Sequence, residues 1–511
     1  MLPTRAPERR PVGDPVTLER PGAGADTGFR WPADRPRRPA PRPRPRPPRT
    51  WQSMVRTAIL AVGLTAAGLV YLLPSHDGLP VKGKIAFSIF LACTTLWVTN
   101  ALPVGITGLM AVALLGLSGA MAPAEAFAAF GSSAVFFILG VFILAAAIIR
   151  SGLSKRIALQ FLVRFGRSPY ALATGMMLIA ALLTVFMPAQ ATVAMLFPIA
   201  FELARALRLR AGASEYGKVL FLSLAWGAMV GSNASFLGST RAPLALGLLS
   251  HRYGISISFW QWLQAAFPVV LLGMLATPLL LRFAFPRERV DPTAARDALE
   301  RAVEQLGRMG APQIKVAGVM MLTIAAWVLL GGRRVDFAII AILGAAAMFV
   351  LRVLKWEDLE GYIHWSVVLM YGGAIALGVA IDKSGVAHWL AHTVIGDVRV
   401  PSYVAAVGLA VSTLVLSEFM SNAAAVAVML PLGFSLASQL GASPTALVLS
   451  ASIGAGLAFT LPISSAPNTI AFASGYLRMT DFVRVGTIMT LLSIAILLLV
   501  ARFWWPLVGV L

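Results

Sequence analysis

One cysteine, Cys93, stands in this chain of 511 residues, and it lies in an apolar run, so neither an internal disulfide nor a thiolate cluster can organise the fold. Histidine is nearly as scarce. The five are scattered without a His-Glu-x-x-His run or any paired spacing, which removes the basis for a catalytic zinc site. The sequence also lacks a paired-aspartate motif and a Gly-x-Ser-x-Gly elbow, so nothing marks it as a membrane-embedded enzyme. Charge is thin as well: 13% of residues are charged and 58% are hydrophobic, with a mean hydropathy of +0.79. A large soluble protein keeps a polar shell that this composition cannot supply. What remains is an all-α polytopic membrane protein.

The net charge of +20 is unevenly spread. Residues 1–50 hold twelve arginines and five acids, and Pro41 to Arg49 is built of proline and arginine alone. Proline removes the amide hydrogen that a helix needs and nothing here builds a core, so the stretch reads as an extended cytoplasmic tail. Such a tail fixes orientation and meets anionic lipid headgroups, and it carries no sign of a specific nucleic-acid module. It does not read as a signal peptide, because no short apolar segment follows a small charged start.

After Arg49, apolar stretches of spanning length, about 20 residues, fall near 54–74, 85–100, 102–119, 132–151, 218–250, 258–283, 313–331, 335–352, 364–382, 445–476 and 484–507. Two others, 169–207 and 402–437, are too long for one helix and are interrupted by Pro188-Ala189-Gln190 and by Ser421-Asn422. They read as re-entrant hairpins, whose tips a membrane tolerates only where they are buried in protein or line a cavity. The two are copies. Ser151-Gly152-Leu153 matches Ser384-Gly385-Val386, Tyr170 matches Tyr403 and Pro198 matches Pro431, all at an offset of 233, and Gly238 to Ala242 matches Ser464 to Asn468 at 226. An odd number of spans between copies inverts the second, which predicts two inverted repeats of about five spans each plus one N-terminal span. The expected segments are the tail (1–50), the first span with the first repeat (51–283), a cytoplasmic linker (284–312) and the second repeat (313–511). The linker holds a short helix after Asp291 with acids near its start, and reads as a solvated connector.

Basic residues set the orientation. Arg150, Lys155, Arg156, Arg164 and Arg167 follow the 132–151 span, against Lys383 and Arg399 after its counterpart, so the first arm and the N-terminus are expected in the cytoplasm of a plasma (inner) membrane protein. The arm 153–165 places Leu153, Ile157, Phe161 and Phe165 on one face with Lys155, Arg156, Gln160 and Arg164 between them, the pattern of a helix lying along the interface.

Charged side chains at a bilayer centre cost about 2.5–3.5 kcal/mol on insertion scales, so those that remain mark a pathway. Ser417 to Ala423 brings a carboxylate, two hydroxyls and an amide into such a place, and Thr460 to Asn468 contains two prolines that prevent a continuous helix. A broken helix offers carbonyls to a cation and free amides to an anion. Serine, asparagine and carbonyl oxygens suit an alkali cation, while amides and hydroxyls suit a carboxylate or another oxyanion. Glu418 either titrates or is paired within the hairpin.

On these residues the chain resembles the divalent anion:sodium symporter family of the ion transporter superfamily. Ser421-Asn422-Ala423 with Met429-Leu430-Pro431 is similar to the Ser-Asn-Thr hairpin motif of that family, and Ser465-Ala466-Pro467-Asn468 to its Thr-Pro-Pro-Asn helix break. Trp97 to Pro103, Phe130-Gly131-Ser132 ahead of Leu139-Gly140, and Trp365 ahead of Gly372-Gly373 also resemble family positions, so that the likeness covers about residues 80–508. The resemblance implies a homodimer in lipid, an elevator-like movement, a small divalent anion (dicarboxylate, tricarboxylate or sulfate) as substrate, Na+ as coupling ion and no other cofactor. The substrate-binding residues it implies are Gln190, Thr192, Ser235, Ser239, Thr240 and Arg241 from the first repeat, with Ser421, Asn422, Ala423, Ser464, Ser465, Pro467 and Asn468 from the second; the sodium set is Ser417, Met420, Ser421, Asn422 and Thr460.

The first repeat departs from the pattern. Pro188-Ala189-Gln190 stands where Ser-Asn-Thr is expected, and Ser239-Thr240-Arg241-Ala242 where Thr-Pro-Pro-Asn is. A cation ligand is lost where a fixed positive charge is gained, which suggests that Arg241 takes the place of one sodium ion. The alternatives are that Arg241 reaches the membrane interface or pairs with an acid such as Glu418. Coupling then runs through fewer sodium ions per cycle or through sodium-independent exchange of anions, with a channel as the remaining class.

Overall fold

The computed structural model describes residues 50–72, 79–332, 334–395 and 401–511; the tail up to Arg49, together with Arg333 and Arg399, lies outside them. The described chain is helical, with one isolated bridge between Gly331 and Val335 and no strand. After α1 (Thr50–Leu72), one succession of elements occurs twice. The first pass is α2 (Val81–Thr99), α3 (Val104–Leu117), α4 (Pro123–Ala128), α5 (Ser133–Arg150), α6 (Leu153–Val163), α7 (Pro169–Leu183), α8 (Ala189–Ala206), α9 (Glu215–Gly231), α10 (Arg241–Tyr253) and α11 (Phe259–Ala284). A linker helix, α12 (Thr293–Gln305), leads to the second pass: α13 (Ala311–Leu329), α14 (Phe337–Val350), α15 (Trp365–Lys383), α16 (Val386–Ile395), α17 (Ser402–Ser417), α18 (Asn422–Leu440), α19 (Pro444–Ala455), α20 (Ala466–Ala473) and α21 (Met479–Trp504).

The correspondence is close in register. The starts of α6 and α16 (Leu153, Val386), of α7 and α17 (Pro169, Ser402) and of α8 and α18 (Ala189, Asn422) each stand 233 residues apart, the offset of the matched side chains. Gly152 and Gly385 turn the chain into α6 and α16 with φ of +73° and +79°, a left-handed conformation that glycine adopts without a Cβ clash. Arg150, at the end of α5, pairs with Asp358 just ahead of α15, and Lys383, at the end of α15, pairs with Glu125 just ahead of α5. With each helix's end tied to the approach of the other, α5 and its counterpart α15 run antiparallel.

Six helices are long and apolar enough to cross a membrane by length and composition: α2, the α4–α5 unit, α11, α13, α15 and α21. Of the remaining expected spans, the apolar part of α1 is Arg56–Leu72. α3 and α14 have 14 residues each, about 21 Å at 1.5 Å per residue. The stretches 218–250 and 445–476 are each two helices parted by an irregular break, and 169–207 and 402–437 are the two helix–turn–helix hairpins that their interruptions announce.

Two surface expectations need correction. The linker helix is not a solvated connector: Ala295, Ala298, Leu299 and Ala302 form a buried stripe at helical spacing. Ahead of it, Asp291 accepts the Thr293 amide at 3.0 Å, which holds its carboxyl below the usual carboxylate range. The α6 arm does not bury its aromatic and isoleucine face alone, because Arg156 is buried while Ile157 is exposed. The Arg156 guanidinium donates to the carbonyls of Leu306 (2.7 Å), Gly307 (3.0 Å) and Arg308 (3.1 Å) and to Gln313 Oε1 (2.8 Å). An arginine that saturates the carbonyl end of a neighbouring helix is stable out of water, which a reading by polarity alone does not anticipate.

Candidate functional site

Each hairpin tip is seated on the helix break of its own repeat. In the first repeat the Ala189 amide donates to the Gly238 carbonyl at 3.0 Å and Ser235 Oγ donates to the Val185 carbonyl at 2.9 Å. The approach is close: a Cβ on Gly238 would lie 2.3 Å from the Thr184 carbonyl oxygen. In the second repeat Ser417 Oγ lies 2.9 Å from both Asn422 Oδ1 and the Ala455 carbonyl oxygen. The Glu418 carboxylate accepts the amides of Thr460 and Leu461, each at 2.9 Å. These are amides that the break leaves without intrahelical partners. Glu418 is thus paired, and with backbone.

Arg241, at the start of α10, crosses to the other repeat. Its Nε donates to the Ser452 carbonyl at 2.7 Å, in the last turn of α19, and its Nη2 donates to Asn233 Oδ1 at 2.8 Å and to Ser232 Oγ at 3.2 Å. The head group rests on Gly456, where a Cβ would sit 2.1 Å from Nη2. Arg241 is 5% exposed, so it does not reach an interface, and among the described residues no acid pairs with it. Its partners are neutral oxygens at the negative end of a helix dipole, which leaves its charge unmatched by any counter-ion.

These elements enclose a cavity of about 1060 Å³. On one side it is lined by the N-terminal ends of four helices: α8 (Pro188, Gln190), α10 (Ser239, Thr240, Arg241), α18 (Ser421, Asn422, Ala423) and α20 (Ser464, Ser465, Pro467). A helix N-terminus carries about half a positive charge and unpaired amides, so four pointed at one space favour an anion there. The rest of its lining comes in part from α1, α2, α3 and α15 through Arg56, Trp97, Asn100, Val104 and Met370. Arg56 and Arg241 are the charged lining residues; no acid lines the cavity. Ser239 Oγ is buried at its edge without a hydrogen-bond partner among the described residues.

Most of the expected residues are brought together, and some are not. Met420 lines the cavity, but Thr192, Ser235, Asn468, Ser417 and Thr460 do not line it. Thr192 is buried with an unpartnered hydroxyl, and Asn468 donates to Ser464 Oγ (3.2 Å) and the Leu461 carbonyl (3.4 Å), bracing the second break from behind. Thr460 Oγ1 lies 3.3 Å from Thr490 Oγ1, while Ser417 Oγ meets Asn422 Oδ1 and the Ala455 carbonyl. Sequence reasoning missed that carbonyl, which no side chain announces. It also missed Gly456 and Arg56, for which an arginine within an apolar first span was the available signal.

The family described as the sodium:sulfate symporter transmembrane region matches residues 53–511. A transporter of Staphylococcus saprophyticus described as the sodium-dependent dicarboxylate transporter SdcS is 27% identical over 476 residues, covering 87% of this chain and 91% of the relative. Its counterpart in Staphylococcus aureus is also 27% identical over 476 residues, with 88% and 91% covered. Among solved structures, the Alcanivorax borkumensis YdaH transporter superposes with a TM-score of 0.50 at 15% identity over 89% of this chain and 98% of that one. Neisseria gonorrhoeae MtrF gives 0.52 at 12% identity, with 88% and 94% covered. At such identity the two structures speak for the fold alone.

Proposed function

The chain belongs to the sodium:sulfate symporter family, and from that premise we propose that it is a secondary carrier that moves a small dianion through the cavity between its two helix breaks. The observation that carries this reading is the electrostatics of the lining: four helix N-termini and two arginines face one space that no acid lines. Hydroxyls of Ser239, Thr240, Ser421 and Ser465 and the amides of Gln190 and Asn422 supply directional donors for carboxylate or sulfate oxygens. The named relatives are sodium-dependent dicarboxylate transporters, which favours a C4-sized dicarboxylate as the first substrate to try.

The coupling ion belongs to the second repeat. Three neutral oxygens, Ser417 Oγ, Asn422 Oδ1 and the Ala455 carbonyl, converge within hydrogen-bond distance, a donor set suited to a sodium ion. In the first repeat Ala189 stands at the position of Asn422 and brings no side-chain oxygen, and the Arg241 guanidinium engages Asn233 Oδ1 and Ser232 Oγ beside that repeat's break. A permanent charge there removes the need for one cation, so the cycle uses fewer sodium ions than a carrier with two intact half-sites. Hairpin tips seated on facing breaks, on antiparallel counterpart helices, suit an elevator-like cycle of a dimer in which the tips release the substrate to opposite sides in turn.

The test is counterflow of labelled succinate into proteoliposomes, with sodium or choline outside. Sodium-dependent accumulation is expected, with Arg241→Gln lowering it at least tenfold. Normal transport by Arg241→Gln with unchanged sodium dependence would end the idea that the arginine stands in for an ion. Equal accumulation in choline would replace symport by anion exchange in the same cavity.

A further inference from the structure

The dianion reading leaves one charge of the cavity without an assignment. Arg241 is buried and tied to three protein oxygens, whereas Arg56 is exposed where α1 lines the same cavity. Arg56 lies in the second turn of α1 and donates through Nη2 to the carbonyl of Asn100, the residue that caps α2 in a left-handed conformation (φ 49°). The helix that bears it is held tightly: a Cβ on Gly63 would lie 2.2 Å from Thr95 Oγ1 of α2. The contacts Arg56 to Asn100 and Gly63 to Thr95 set α1 and α2 antiparallel, so the start of α1 and the end of α2 share one face of the molecule. The guanidinium is therefore anchored at one face, with donors left over from its one carbonyl bond among the described residues.

We propose that Arg56 is a specificity residue of the carrier: it meets the second negative charge of the substrate at the mouth of the cavity and selects dianions over monoanions. The assignment rests on the carrier reading above and extends it to an element, the first span, that contributes no hairpin tip and no helix break. Two fixed charges of unequal kind divide the work. Arg241, beneath the tips, holds one acidic group in place, and Arg56, facing water, captures the other from the side on which α1 begins. Because an exposed charge is screened within about 10 Å at 0.1 M salt while a buried one is screened much less, the two contributions separate by ionic strength.

The experiment uses the full chain in detergent and compares binding of succinate with that of monomethyl succinate, which has the same carbon chain and one charge fewer, by calorimetry at pH 7.5. Wild-type protein is expected to prefer the dianion, and that preference is expected to shrink as salt rises. Arg56→Gln should weaken succinate binding roughly tenfold, about 1.4 kcal/mol, change the monomethyl ester less than twofold and flatten the salt response. Arg56→Lys should restore most of the preference, which a purely structural role at the Asn100 carbonyl would not require. Equal loss for both probes in Arg56→Gln, no loss, or failure of the lysine variant to rescue would overturn the assignment. If the glutamine variant does not fold, a salt-independent preference in the wild type overturns it alone. Wild-type protein that binds neither succinate nor sulfate would instead overturn the carrier reading, and this inference with it.

Discussion

At the scale of single residues, the contact between Arg241 and Gly456 is the narrowest in the site. The guanidinium occupies the volume that any larger side chain at position 456 would claim, since a Cβ there lies 2.1 Å from Nη2. Gly456→Ala is expected to displace the arginine from the Ser452 carbonyl and reduce succinate transport at least tenfold, while circular dichroism stays that of a helical protein. Transport unchanged by the alanine would mean that the arginine head has other places to go. Glu418 offers a second residue-level prediction. Its two oxygens each accept one backbone amide, so Glu418→Gln presents an NH2 group to one of them. A buried donor facing a donor costs about 1–3 kcal/mol, and the melting temperature should fall by several degrees even without substrate. A variant as stable as the wild type would return Glu418 to the role of a titrating group.

The elements show which features sequence patterning reaches. The hairpins were legible because polar and proline residues interrupt long apolar stretches, the second break because two prolines forbid a continuous helix, and the first break through its match to the second. The face of α6 was not legible. A four-residue stripe of Leu153, Ile157, Phe161 and Phe165 predicts an interfacial helix, yet the decisive partner of that helix is a set of carbonyls at the end of α12, some 150 residues away. Arg156→Ala removes the donors that satisfy those carbonyls. It is expected to leave substrate affinity unchanged, to expose the 306–310 segment to trypsin, which cleaves after Arg308, and to slow transport several-fold. Resistance to trypsin equal to the wild type would show that the linker is held by its buried alanine face alone.

At the scale of the whole molecule, the duplication carried most of the fold. Matched glycines, tyrosines and prolines at one offset gave the succession of elements twice, and the two ion pairs that tie α5 to α15 end to approach are the physical form of that duplication. The site was only half legible for the same reason. Side chains such as Ser421, Asn422 and Ser465 appear in a sequence, whereas the Ala455 carbonyl and the destination of Arg241 on the opposite repeat depend on how two breaks cross.

Arg241 and the Glu418 carboxylate, both buried beside the helix breaks, cancel in charge. In the proposed cycle the empty moving unit is therefore neutral at its site, and the unit loaded with a dianion and one sodium ion carries one negative charge. A membrane potential acts on a moving charge by about 2.3 kcal/mol per 100 mV, so voltage bears on the loaded passage and hardly on the empty return. An inside-negative potential imposed with potassium and valinomycin is expected to slow net succinate uptake into proteoliposomes. Uptake unaltered by the potential would mean that the loaded unit is neutral, with a second cation aboard. In a polarised cell, such a carrier gives up its anion more readily than it gathers it.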